Sequence, residues 1–125
     1  MPRTDLVVLA VDDDMINLKL LKSMLMKSGI VKEVIEAKNG SDAIGELKSR
    51  NDIDLILLDI IMPIMGGIDV LKVVRADDNL RQLPIIVLTT DETKKVEALD
   101  CGANGFLMKP IRNDDLLKKI ATVIV

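Results

Sequence analysis

Four separate apolar segments of the sequence each end in polar residues that could act on a phosphoryl group. In chain order these residues are Asp12, Asp13, Asp14, Asp59, Thr89 and Lys109. Clustered carboxylates repel one another, and a hard divalent cation such as Mg²⁺ relieves that repulsion because it prefers oxygen ligands. An ammonium and a hydroxyl group can donate to phosphoryl oxygens. The set therefore predicts a magnesium-dependent phosphoryl site in which one carboxylate is free to act as the nucleophile.

Each of these residues also has an ordinary structural explanation. Asp14 precedes a predicted helix and is expected to cap it. Asp59 alone could end a strand, Thr89 could be an ordinary strand residue, and the sequence Lys109-Pro110 could be a turn. Helix capping explains only one of the four features, so their joint occurrence at successive strand ends favours a functional site.

The spacing of apolar residues predicts five strands that alternate with five helices. The predicted strands are Leu6–Val11, Val31–Ala37, Leu55–Leu58, Ile85–Leu88 and Phe106–Met108. The predicted helices are Asp14–Ser28, Ser41–Ser49, Ile68–Arg75, Glu92–Asp100 and Asp114–Ile124. Strict alternation is typical of an α/β fold in which helices cover both faces of a parallel sheet.

Charged side chains indicate the order of the strands. The first, third and fourth strands have no charge within their apolar runs, which places them in the centre of the sheet. The second carries Lys32, Glu33 and Glu36, and the fifth is short, so both are predicted at the edges. Right-handed crossovers then favour the order 2-1-3-4-5, which is a doubly wound, flavodoxin-like sheet. The functional crevice of such a sheet lies at the carboxyl ends of strands one and three, beside Asp12 and Asp59.

Composition limits the classes of function that remain. The chain has 125 residues and a mass of 13.8 kDa, so we expect residues 1–125 to form one domain. Its 49% of hydrophobic residues excludes intrinsic disorder, and the apolar runs are too short to cross a membrane. A net charge of −3 argues against direct binding of nucleic acid. Because the chain contains no histidine, catalysis by Ser-His or Cys-His pairs and phosphohistidine within the chain are excluded.

The sequence favours a cytoplasmic location. Its first residues lack the pattern of a secretory signal. Cys101 is the single cysteine and cannot form a disulfide framework, which is consistent with a reducing compartment.

The motifs resemble the receiver domains of two-component response regulators, including the single-domain chemotaxis receiver. The matching segments are VDDD, LLDIIMPIMGG, VLTT and FLMKP, and the resemblance extends from Leu6 to Val125. It implies that Asp59 takes a phosphoryl group from a histidine kinase or a histidine phosphotransfer protein. It also implies that Mg²⁺ is held by Asp12, Asp13, Asp59 and the backbone carbonyl of Ile61.

The same resemblance implies a switch. Thr89 and Lys109 would bind the phosphoryl oxygens, and Phe106 would rotate from an exposed to a buried position as Thr89 moves inward. This would change the face formed by helix four, strand five and helix five. The bond before Pro110 is expected to be cis, as is usual in the family. Phe106 is the only aromatic residue of the chain, and a simple place in the core is the competing explanation for it.

A surface beside the predicted site could dock the phosphodonor. Met15 and Leu18, with Met26, are predicted on the outer face of the first helix. Pro110 and Ile111 should lie beside the start of that helix. Exposed methionines adapt to a partner's surface, so Met15, Leu18, Pro110 and Ile111 form a predicted docking surface for the kinase or phosphotransfer protein. Scattered surface hydrophobic residues explain the same pattern equally well.

Two other functions remain open. A receiver-like module could dock without being phosphorylated, although such modules typically lack the acid pair or the lysine. A haloacid-dehalogenase-like phosphatase also uses an aspartate nucleophile, but it carries a second acid two residues later, where this chain has Ile61. We expect a phosphoacceptor that assists its own phosphorylation and dephosphorylation rather than an enzyme. The apolar Ile61 stands where chemotaxis-type receivers have a polar residue, which predicts slow hydrolysis of the phosphoryl group.

Overall fold

Five strands and five α-helices alternate along the chain, as the sequence predicted. The computed structural model describes residues 4–124. The strands are β1 (Leu6–Val11), β2 (Val31–Ala37), β3 (Leu55–Asp59), β4 (Ile85–Thr89) and β5 (Gly105–Met108). The helices are α1 (Met15–Lys27), α2 (Gly40–Ser49), α3 (Gly67–Ala76), α4 (Lys95–Asp100) and α5 (Asn113–Val123). Across residues 4–124, none of these helices has the length and apolar character needed to span a bilayer.

The sheet confirms the predicted order. Its strands are arranged β2-β1-β3-β4-β5, and every neighbouring pair is parallel. The charged strand β2 and the short strand β5 therefore form the two edges. Because all five strands run in one direction, the residues that follow their carboxyl ends emerge at the same edge of the sheet.

Two apolar layers cover the two faces of the sheet. One layer packs α2, α3 and α4 against the sheet, and the other packs α1 and α5 against the opposite face. Strand β1 is buried along its whole length and supplies alternate side chains to the two layers. The central strands are therefore fixed from both sides, which makes their carboxyl ends a rigid platform.

The fourth helix is shorter than predicted. The sequence favoured a helix over Glu92–Asp100, whereas the structure has a 3₁₀ turn at Glu92–Lys94 followed by α4 at Lys95–Asp100. Asp91 caps the 3₁₀ turn by accepting a hydrogen bond from the backbone N–H of Thr93. A 3₁₀ turn is common at the start of an α-helix, and apolar spacing alone does not distinguish the two.

The prediction that Leu18 lies on an outer docking surface is wrong. Leu18 is 1% exposed and packs in the apolar layer between α1, α5 and the sheet. It precedes Leu21 by three residues and Leu25 by seven, and this spacing places all three side chains on one helix face. The buried stripe of α1 therefore begins one turn earlier than the sequence interpretation placed it.

The turn after β3 depends on the absence of a side chain at Gly67. A Cβ atom there would overlap the carbonyl oxygen of Asp59 and lie 2.8 Å from the Cα of Ile60. The N–H of Gly67 donates to the carbonyl of Ile60 at 2.9 Å, which closes the loop over residues 61–66. This close approach joins the start of α3 directly to the backbone that carries Asp59.

We expect the substitution Gly67→Ala to lower the free energy of unfolding by about 2 kcal/mol or more, because the new methyl group meets backbone atoms that cannot move freely. Gly45→Ala in α2 is the matched control. A Cβ at Gly45 has no atom within 4 Å, so that substitution should stabilise the helix by up to about 1 kcal/mol. Urea unfolding measures both changes, and equal effects at the two glycines would contradict the close-packing explanation.

Candidate functional site

Three carboxylates meet at the carboxyl edge of the sheet. Asp12 and Asp13 follow β1, Asp59 ends β3, and one oxygen from each lies within 4.8 Å of the others. Asp12 and Asp59 are buried, at 4% and 5% exposure, while Asp13 is exposed. The backbone N–H of Asp14 donates to Oδ1 of Asp12 at 2.9 Å, which orients that carboxylate. The structure thus brings together the acidic residues that the sequence singled out.

Lys109 reaches this cluster from β5. Its Nζ lies 2.7 Å from Oδ2 of Asp12 and 3.5 Å from Oδ1 of Asp59. The backbone N–H of Lys109 donates to the carbonyl of Thr89 at 2.9 Å, so the pairing of β4 with β5 continues past the end of the strand. The bond between Lys109 and Pro110 is cis, as expected.

Thr89 ends β4 and is fully buried beside the cluster. Its Oγ1 accepts a hydrogen bond from the backbone N–H of Asp91 at 3.2 Å. In this state the Thr89 hydroxyl therefore binds the turn that leads to α4.

For both Asp59 and Lys109, burial and the attraction of an oppositely charged neighbour shift the pKa in opposite directions. Burial, reinforced by the nearby Asp12 carboxylate, raises the pKa of Asp59 to about 6, although Lys109 acts in the other direction. For Lys109, burial favours the neutral amine, but the hydrogen bond with Asp12 and the attraction of Asp59 together raise its pKa. The site therefore favours the charged form of Lys109 and disfavours the ionised form of Asp59.

The donor set fits a divalent cation such as Mg²⁺. The cluster contains three carboxylates and one ammonium group, so negative charge is in excess. The three carboxylates supply oxygen ligands, and water can reach the cluster on the side of the exposed Asp13. This is the chemistry that Mg²⁺ prefers, since it binds a small number of carboxylates and retains several waters.

Two further residues of the sequence analysis lie around the site. Ile61 follows the cluster on the β3–α3 loop and is 52% exposed. Phe106 on β5 is half-buried: its ring packs against the apolar layer that contains α3 and α4, and Nζ of Lys95 lies 6.0 Å from the ring centroid. Phe106 is therefore neither a fully buried core residue nor an exposed one.

A groove beside Lys109 includes part of the predicted docking surface. It has a volume of about 230 Å³, and its lining includes Leu20, Leu21, Met24, Lys109, Pro110 and Ile111. Pro110 and Met15 are exposed, and Ile111 is half-buried. The sequence interpretation missed Leu20 and Met24 as lining residues. Their spacing of four places them on one helix face, and this signal could have identified them.

Comparison with known proteins agrees with this geometry. The family model for the response regulator receiver domain matches residues 8–121. The chain belongs to this family. It is 34% identical over 119 residues to the chemotaxis protein CheY1 of Helicobacter pylori, which covers 94% of this chain and 95% of that protein.

Other relatives support the same assignment of this receiver domain. A crystal structure of a response regulator from Chloroflexus aurantiacus superposes with a TM-score of 0.88 at 29% identity and covers 94% of this chain and 96% of that one. The sensor kinase/phosphatase CqsS of Vibrio cholerae is 36% identical over 117 residues, which are 91% of this chain but 17% of that larger protein. The receiver fold thus occurs both alone and within longer proteins.

The raised pKa of Asp59 predicts a pH-dependent effect of Asp59→Asn on stability. Ionised Asp59 destabilises the metal-free fold above pH about 6, and this cost disappears as the pH falls towards the unfolded value of 3.8. In buffer with a chelator, Asp59→Asn should therefore raise the free energy of unfolding by up to about 3 kcal/mol at pH above 7, with little gain near pH 4. Urea unfolding at the two pH values measures the difference. An equal increase in the free energy of unfolding at both pH values would show that ionisation of Asp59 is not the cause of the stabilisation.

Proposed function

We propose that this receiver domain, residues 1–125, accepts a phosphoryl group on the Asp59 carboxylate in a two-component phosphorelay. The observation that carries the proposal is the position of buried Asp59, whose carboxylate lies within 4.8 Å of those of Asp12 and Asp13 and 3.5 Å from the Lys109 ammonium. The chain has no histidine, so the donor imidazole belongs to a histidine kinase or a histidine phosphotransfer protein. A carboxylate oxygen of Asp59 forms the new bond to phosphorus, and the phosphorus–nitrogen bond of the phosphohistidine breaks.

The residues around Asp59 have two separate binding roles, one towards Mg²⁺ and one towards the phosphoryl group. Asp12, Asp13, Asp59 and the backbone carbonyl of Ile61 are the proposed ligands of Mg²⁺, which neutralises phosphoryl charge when it is bound. Lys109 already lies between Asp12 and Asp59, so its ammonium can move from carboxylate to phosphoryl oxygen over a short distance. In-line transfer needs little beyond such positioning and charge neutralisation, which is why no further catalytic group is required.

Thr89 and Phe106 are the proposed switch. The Thr89 hydroxyl would leave the N–H of Asp91 to donate to a phosphoryl oxygen. This movement would open space beside Phe106, whose half-buried ring can then move further inwards. The change would alter the face formed by α4, β5 and α5, where we place the downstream contact.

The donor would dock on the surface beside the site. We retain Met15, Pro110 and Ile111 in this docking surface and replace the buried Leu18 with the groove residues Leu20 and Met24. A receiver segment lies within the relative CqsS, which is itself a sensor kinase, and this supports a kinase as the donor. We propose a cytoplasmic site of action without direct contact with nucleic acid or membrane, consistent with the net charge of −3.

Incubation with acetyl phosphate and Mg²⁺ should add one phosphoryl group to the wild-type protein, measured by intact mass. Asp59→Asn should show no addition, because it lacks the nucleophile, and a chelator should abolish the reaction of the wild type. Lys109→Ala should slow it strongly, since it leaves the phosphoryl charge without its ammonium partner.

The same experiment separates the alternative functions. An unmodified wild-type protein would favour a docking module that acts without phosphorylation. Continuous turnover of a generic phosphate ester would favour a phosphatase instead. Either result would contradict the proposed phosphoacceptor.

The side chain of Ile61 should control the lifetime of the phosphoryl group. It is apolar, half-exposed and two residues from Asp59, so it cannot orient the water that hydrolyses an acyl phosphate. Ile61→Asn should therefore increase the rate of autodephosphorylation several-fold, measured as loss of the phosphoryl group after the donor is removed. An unchanged decay rate would remove this role of Ile61.

A further inference from the structure

Ile64 has a backbone conformation that its side chain disfavours. Its φ angle is +69°, in the left-handed region, and it is the only non-glycine residue with positive φ among residues 4–124. A β-branched side chain in this region costs free energy, because Cβ crowds the neighbouring carbonyl oxygen. Glycine or asparagine would adopt the same conformation at a lower cost.

The Ile64 side chain gains no burial that would compensate for that cost, although the turn around it is held by a hydrogen bond of 2.8 Å from the N–H of Met65 to the carbonyl of Pro63. The exposure of Ile64 is 106% of its reference value, so the side chain extends fully into solvent. Strained conformations persist where the surroundings enforce them, and they concentrate at functional sites. A fully exposed apolar side chain contributes no burial free energy to its own fold. Burial of the Ile64 side chain against another molecule would supply free energy that offsets the cost of its backbone conformation.

The position of Ile64 limits which molecule this is. The hydrogen bond from Gly67 to Ile60 closes the loop, and Ile64 lies three residues before Gly67. Its Cα is therefore within about 11 Å of the Cα of Gly67, which packs directly on the backbone of Asp59. A protein interface of standard size covers about 800 Å² on each partner, which is a disc of roughly 16 Å radius. A protein centred on Asp59 would thus extend to the loop that carries Ile64.

The phosphodonor is the protein that must cover this edge. Asp59 is 5% exposed, so an imidazole can reach it only if the donor seats closely over the carboxyl ends of the strands. Ile61, on the same loop, is also apolar and 52% exposed, so the loop presents two apolar side chains beside an acidic pocket. A downstream target is under no such geometric requirement.

We propose that Ile64 is a specificity-determining residue of this receiver domain, whose side chain inserts into an apolar depression on the phosphohistidine-bearing donor. This inference rests on the proposed phosphoacceptor function and adds to it the part of the donor's surface that the β3–α3 loop recognises. It assigns to the loop a selective role separate from the chemistry at Asp59. Small phosphodonors would not use the contact, because they enter the pocket without covering the loop.

The test compares phosphotransfer from protein and small-molecule donors in three variants. Ile64→Asn and Ile64→Gly both relieve the backbone strain and remove the apolar side chain. Val96→Asn removes an exposed apolar side chain from α4 and is the matched control. The donors are acetyl phosphate and a panel of purified, phosphorylated histidine phosphotransfer domains, of which the one most active towards the wild type is used for kinetics.

Both Ile64 variants should unfold at a higher urea concentration than the wild type and should react with acetyl phosphate at an unchanged rate. Their kcat/KM with the protein donor should fall about tenfold, mainly through KM, which corresponds to about 1.4 kcal/mol of binding. Val96→Asn should leave both reactions unchanged.

Equal kcat/KM for wild type and Ile64 variants with the protein donor would overturn the inference. So would an equal loss with both donors, because this would show that Ile64 acts on the pocket rather than on the partner. Failure of every protein donor with a wild type that reacts with acetyl phosphate would also overturn it. Failure of the wild type to react with acetyl phosphate would instead overturn the proposed phosphoacceptor function.

Discussion

The ion pair between Lys109 and Asp12 is the interaction on which the architecture of the site depends. It joins residues that are 97 positions apart, with 2.7 Å between Nζ and Oδ2. In the sheet, β3 and β4 lie between the strands that carry the two residues, and neighbouring strands are about 4.8 Å apart. Lys109 therefore extends across the end of β3, and its ammonium lies 3.5 Å from Asp59. The pair can form only when four strands are in place, so the site exists only in the completed fold.

In this arrangement a residue that is needed for function lowers the stability of the fold. Two buried carboxylates share the Lys109 ammonium group, the exposed carboxylate of Asp13 lies close to both, and burial raises the pKa of Asp59 to about 6. An apolar or amide residue in place of Asp59 would give the fold a higher free energy of unfolding. It would also remove both the proposed nucleophile and a proposed metal ligand. The surrounding strands are buried on both faces, and their packing can hold a charge that the local environment disfavours. Conflicts of this kind are typical of functional sites, where natural proteins retain a locally unfavourable residue.

The features of the structure that follow from the spacing of apolar residues and from the topology of a parallel sheet could be predicted from the sequence. Uncharged apolar runs located the central strands, and parallel connections placed Asp12, Asp59 and Lys109 at one edge. Predictions failed where two arrangements share the same pattern. The buried stripe of α1 was displaced by one turn, so Leu18 was assigned to the wrong face. The left-handed conformation of Ile64 could not be predicted, because local propensity argues against it; in the structure a hydrogen bond from the N–H of Met65 to the carbonyl of Pro63 holds this turn.

The hydrogen bond from Asp91 to the Thr89 hydroxyl has a consequence for the order of α4. That helix has six residues after a three-residue 3₁₀ turn, and so short a segment has little helical stability of its own. The Thr89 oxygen anchors the backbone at the entrance to this segment. Any event that moved this oxygen away would free the backbone N–H of Asp91, the residue that caps the 3₁₀ turn, and would loosen the segment from its amino end. A single hydroxyl group could in this way convert an ordered surface into a fraying one, with no rigid-body movement of the domain.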